Sequence, residues 1–112
     1  MIEHMEGRYY SHAWVGSHAE GTDFFGMLYK DAGSVTWVFQ YRFKYPNGVK
    51  NWYRASADKR EEQVMALCRI VERTCAENGF VMKTIPLESA DTRVVYEKLK
   101  ASGMTSSESL LN

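Results

Sequence analysis

His18, Glu20 and Asp23 stand in the stretch SHAEGTD, the one place in the sequence where an imidazole and two carboxylates gather. Such a set could ligate a metal ion, or pair a base with an acid for hydrolysis. The competing reading is a polar connecting loop, because no recognised ligand spacing such as HExxH is present. Ser17 lacks the G-x-S-x-G setting of an activated nucleophile. GSHAEG does not lead into a helix, which a phosphate-cradling loop requires. No cofactor is expected.

Cys68 and Cys75 could in principle bond or attack, but their spacing argues otherwise. On one helix, seven residues at about 1.5 Å each separate them by roughly 10 Å, beyond disulfide reach. They share a helical face with Val64, Leu67 and Val71 and read as small buried hydrophobes in a reducing compartment.

The remaining chemistry is electrostatic and aromatic. Between Ala32 and Ala57 lie four cations, Arg42, Lys44, Lys50 and Arg54, and no acid. The first 31 residues carry five acids against two cations, so a net charge of zero hides a polar molecule. Polyanion binders are usually strongly basic overall, yet a local basic stripe is all that an electrostatic footprint needs.

These residues must be positioned by elements, and hydrophobic periodicity says which. The 112 residues fit one domain spanning 1–112, with 1–7 and 104–112 expected to fray. RYYSHAWV and DFFGMLYK read as strands rich in aromatics. Gly26 inside the second suggests a bulge, or an aromatic neighbour lying over the backbone. SVTWVFQYRFKY alternates apolar and polar residues as a third strand, and a fourth follows PNG. From Asp58 to Asn78 the apolar period becomes three and four, predicting a long amphipathic helix with an Asp58/Glu61 capping box. FVMKTIP is a fifth strand. A shorter helix capped by Ser89 or Asp91 runs to about Ala101. The order β-β-β-β-α-β-α implies an α+β fold: an antiparallel sheet of four to five strands with both helices packed on one face. No stretch is apolar and long enough to span a bilayer, and the start is too polar for a signal peptide. A cytoplasmic location is expected.

The turn YPNGV decides which way the hairpin side chains point. A two-residue turn centred on Asn47-Gly48 would place Pro46 at a hydrogen-bonded position, where it has no amide hydrogen to give. A type I turn with Pro46 second and Gly48 as a left-handed bulge is preferred. In that register Val35, Trp37, Phe39, Tyr41, Phe43 and Tyr45 share the core face, and Gln40, Arg42, Lys44, Lys50, Trp52 and Arg54 share the other. Arg42 then stands across from Trp52 and could stack on it. A strand from Ser34 to Tyr45 spans about 40 Å against about 30 Å for a 20-residue helix. The tip is therefore expected to overhang, exposing Tyr41, Phe43, Tyr45 and Tyr53 to a partner.

The segment WVFQYRFKYPNGVKNWYRASADKREEQVMAL resembles the three-strand-plus-helix DNA-binding modules at the front of phage-type tyrosine integrases. Those too run aromatic and basic strands into a glycine turn and a helix. The acidic start of this helix and the β-α unit after Gly79 depart from that pattern, so no binding residue is carried over.

The sequence thus points to a small non-enzymatic binding protein, expected to be a homodimer or to hold a protein partner through Tyr41, Phe43, Tyr45 and Tyr53. The alternative is nucleic-acid binding through Arg42, Lys44, Lys50, Trp52 and Arg54. The third is a metal-dependent or hydrolytic enzyme at His18, Glu20 and Asp23.

Overall fold

The computed structural model describes residues 7–57 and 60–103. Five strands form one antiparallel sheet: β1 (Arg8–His18), β2 (Asp23–Asp31), β3 (Trp37–Lys44), β4 (Lys50–Ala57) and β5 (Phe80–Ser89). Helix α1 (Glu61–Glu77) joins β4 to β5, and α2 (Thr92–Ala101) follows. The α+β order β-β-β-β-α-β-α is therefore as the periodicity predicts, and the strand order is β4-β3-β2-β1-β5. The expected Asp58 cap lies outside the described residues, as do the ends expected to fray, apart from Gly7.

The helices correct one expectation, because they do not share a face. Val64, Cys68 and Cys75 of α1 pack with Trp14, Phe24, Leu28, Trp37 and Phe39. Val95 and Leu99 of α2 pack with Tyr10, Ala13, Phe25, Met27, Tyr29, Val38, Ile85 and Leu87. Successive strand residues point to opposite faces, so the two clusters occupy the two sides of the sheet. The physical reason lies in β2, where every residue from Phe24 to Tyr29 is buried. A strand with one wet face must alternate, whereas an unbroken apolar run needs cover on both sides.

Local signals set the ends of the elements. The Arg60 amide donates to Gln63 Oε1 at 3.1 Å, which is half of a capping box at the start of α1. Asp91 Oδ1 accepts from the Arg93 amide at 2.9 Å and caps α2. Gly79, with φ +92°, ends α1 as its left-handed stop. Gly26 carries no bulge; instead, a Cβ there would stand 2.9 Å from Phe39 Cε1, so an aromatic ring lies against the bare backbone. The register shift falls in β1 at Ser11.

Pro46 settles the hairpin as the type I turn. The Gly48 amide donates to the Tyr45 carbonyl and the Tyr45 amide to the Val49 carbonyl, both at 2.9 Å, with φ of +87° at Gly48. Tyr41 pairs Tyr53, Arg42 pairs Trp52 and Phe43 pairs Asn51. The strand is shorter than the Ser34–Tyr45 span expected, and Val35, which precedes it, is 83% exposed instead of joining the core face. Its tip is not left bare, because Phe43 packs on Phe80 with ring centroids 5.8 Å apart.

Candidate functional site

Two turns meet at one end of the sheet. Gly21 in the β1–β2 loop lies against Pro46 of the hairpin, where a Cβ on the glycine would come within 3.2 Å of the proline Cγ. Beside this junction His18, Glu20, Thr22, Phe43, Tyr45, Tyr53, Asn78 and Phe80 line an open concavity of about 310 Å³. The loop histidine and the hairpin aromatics, two separate candidates in the sequence, are thus walls of one site.

Each wall has a local cause. His18 closes β1 and pairs with Phe80 across the β1–β5 ladder, their ring centroids 5.2 Å apart. The Glu20 amide donates to His18 Nδ1 at 3.0 Å. That nitrogen is an acceptor, so the neutral ring carries its proton on Nε2. Gly79 leaves room for the ring, since a Cβ there would lie 2.9 Å from His18 Nε2. Asn51 Nδ2 donates to the Tyr45 hydroxyl at 3.2 Å and orients that ring.

The aromatic rings meet edge to face. Phe43 lies at 82° to Tyr53 and 62° to Phe80, with centroids 6.1 and 5.8 Å away. Tyr41 stacks on Tyr53 at 5.1 Å and 17° behind them. Burial, then the neighbouring Tyr53 and Cys75, holds the Tyr41 phenol above its ordinary pKa and therefore neutral. Glu20 is exposed. Phe43, Tyr53 and Phe80 thus form an edge-to-face aromatic cluster, an aromatic box, along the concavity that the exposed Glu20 also lines.

Asp23 does not join this site. It lies on β2 two residues before Phe25 and so faces the α2 side, whereas His18 faces the α1 side with Phe80. Among the described residues no three His, Cys, Asp or Glu side chains come together as metal ligands. Nor is any described helix long and apolar enough to cross a membrane.

The basic set is divided as well. Lys44, Lys50, Trp52 and Arg54 share the α2-side face of the hairpin, with Trp52 38% exposed and Arg54 also exposed. Arg42 is on that face yet only 3% exposed. Its guanidinium carbon lies 5.8 Å from the centroid of the Phe25 ring, its cross-strand neighbour on β2. Arg42 is thus a buried cation, not part of a solvated stripe.

A second polar cluster, absent from the sequence reading, ties β1 to α1. Ser11 is 2% exposed at the register shift and donates its hydroxyl proton to Glu61 Oε1 at 2.7 Å. Its Oγ also lies 2.6 Å from His12 Nδ1. A hydroxyl has one proton, and an ionised carboxylate only accepts. His12 must therefore donate from Nδ1, the opposite tautomer to His18.

Thr22, Asn78 and Phe80 were also not foreseen in the site. Phe80 could be found only by knowing that β5 pairs with β1. Comparison of the chain with known protein families, characterised proteins and solved structures finds no significant match.

Proposed function

We propose that this is a small non-enzymatic binding protein whose contact site is the aromatic box at the hairpin end, and that the box receives an organic cation. The observation that carries the reading is the edge-to-face setting of Phe43 against Tyr53 and Phe80, at 82° and 62°, along an open concavity that the exposed Glu20 also lines. Ring faces carry partial negative charge and attract ammonium or guanidinium groups, at about 0.5–1 kcal/mol for each exposed ring. A carboxylate along the concavity adds attraction without closing the site. His18 supplies an Nε2–H donor and not a second negative group.

The experiment is a titration with tetramethylammonium and with a trimethyllysine peptide, followed by side-chain and amide NMR shifts. Saturable shifts at Phe43, Tyr53 and Phe80, weakened several-fold by Tyr53→Ala and by Glu20→Gln, support the reading. Absence of shifts at millimolar ligand sinks it. A single-stranded oligonucleotide titrated in parallel tests the nucleic-acid alternative through Lys44, Lys50, Trp52 and Arg54. Binding there would fall steeply with salt and would shift Trp52 instead of Phe80.

A further inference from the structure

The outer edge of β4 is the least protected part of the sheet. β4 and β5 are the two edge strands. β5 is blunted: it contains Pro86, which cannot donate to a new strand, and Glu88 at φ +46°, and its pairing with β1 shifts register opposite. β4 contains neither proline nor glycine and pairs with β3 without interruption. Among the described residues no element continues the sheet beyond it.

The turn determines which backbone groups face outward. Tyr45 donates to Val49, and antiparallel ladders alternate hydrogen-bonded and non-hydrogen-bonded pairs. Asn51, Tyr53 and Ala55 therefore spend their N–H and C=O groups on β3, while Lys50, Trp52 and Arg54 point theirs to the open edge. Any strand that docks must bond to the second set.

We infer that the occupant is a second copy of this chain, pairing β4 antiparallel to β4 with the two-fold axis at Tyr53. A symmetric pairing that uses the outward groups must place a β4 residue on its axis. An axis at Trp52 sets Lys50 directly across from the partner's Arg54, and an axis at Arg54 sets two guanidiniums face to face. Like charges directly opposite are unfavourable. An axis at Tyr53 removes both conflicts and keeps the overlap from Lys50 to Ser56. Each Trp52, 38% exposed, then meets the partner's Arg54 as a cation–π pair. On the other face Tyr53, 45% exposed and already stacked on Tyr41, meets its own symmetry mate. The contact is small, so association belongs to the weak class.

This inference rests on reading the hairpin as a contact surface but not on a cation in the box, and the two fail separately. Sedimentation velocity over a concentration series should show the 12.9 kDa chain doubling in mass. Arg54→Pro deletes an outward amide hydrogen while sparing the β3 ladder, and should weaken dimerisation at least tenfold while saturable ammonium shifts at Phe43 and Phe80 persist. Tyr53→Cys should form an intermolecular disulfide on mild oxidation, because a non-hydrogen-bonded pair brings Cα atoms to about 4.5 Å, within disulfide reach. Asn51→Cys and Ala55→Cys should not, since each is offset along the strand from its own copy. Cys68 and Cys75 are buried and stay out of the exchange. A monomer at every concentration overturns the inference, as does a dimer in which Tyr53→Cys gives no disulfide. Circular dichroism of Arg54→Pro checks its folding, and the cysteine variants decide the matter if it unfolds.

Discussion

His18 Nε2 occupies the space that a side chain on Gly79 would need: a Cβ there would stand 2.9 Å from that nitrogen. One glycine therefore serves two purposes. Its φ of +92° ends α1, and its missing side chain lets the imidazole stand beside Phe80 in the box. Gly79→Ala should cost about 1–2 kcal/mol from the backbone conformation alone. It should also displace the His18 ring and weaken ammonium binding. Denaturant titration reads the first effect and the His18 side-chain shifts the second; an unmoved His18 would show that the ring has slack.

The two bonded histidines should differ in tautomer. Neutral His12 should carry its proton on Nδ1, because Ser11 donates to Glu61, and neutral His18 on Nε2, because Glu20 donates to Nδ1. Long-range nitrogen–proton NMR correlations distinguish the two forms. Ser11→Ala should leave the part-buried Glu61 carboxylate without this donor, at a cost of about 1–2 kcal/mol. It should leave His18 as it was. A matching tautomer at both rings would contradict the hydrogen-bond directions.

Gly26→Ala should destabilise by about 1–3 kcal/mol, the usual cost of overfilling a packed core. The added methyl would meet Phe39 Cε1 at 2.9 Å and Tyr41 Cβ at 3.1 Å. Phe39 is held edge-on to Trp14 with centroids 5.4 Å apart, so the displacement should appear in the near-ultraviolet dichroism of that indole. An unchanged unfolding midpoint would count against a rigid Phe39.

Alkaline stability should follow the buried thiols. Burial pushes the Cys68 thiol up from 9.0 to about 12, and Cys75 moves in the same direction for the same reason. Above pH 9.0 the unfolded chain loses a Cys68 proton that the folded chain keeps, so unfolding releases it and stability falls as pH rises. The contribution is complete below 9.0 and lost by about 12, declining by at most about 1.4 kcal/mol per pH unit for each thiol. Urea midpoints of the native chain and of Cys68→Ala, compared across that window, measure the slope. A parallel decline in the two would assign the effect elsewhere.

Much of the fold follows from short-range rules that act within one segment. The three-and-four period from Val64 to Cys75 dictates a helix, Asp91 caps the next, and the missing amide hydrogen of Pro46 selects the turn and hence the face of every hairpin side chain. The unbroken run from Phe24 to Tyr29 was the legible sign of cover on both faces. Its meaning for α2 depends on which strands neighbour it, and no local pattern supplies that.

The sequence by itself determined the elements, their order, the hairpin register and the burial of both cysteines, because periodicity, capping and proline geometry are local. Tertiary structure alone decided that β5 returns beside β1, that Gly21 meets Pro46, and that Arg42 is buried beside Phe25. It also put His18 and Glu20 with Tyr45 and Tyr53 while sending Asp23 to the opposite face. Those outcomes hang on contacts between residues distant in the chain, where side-chain packing chooses among arrangements that local preference leaves equal.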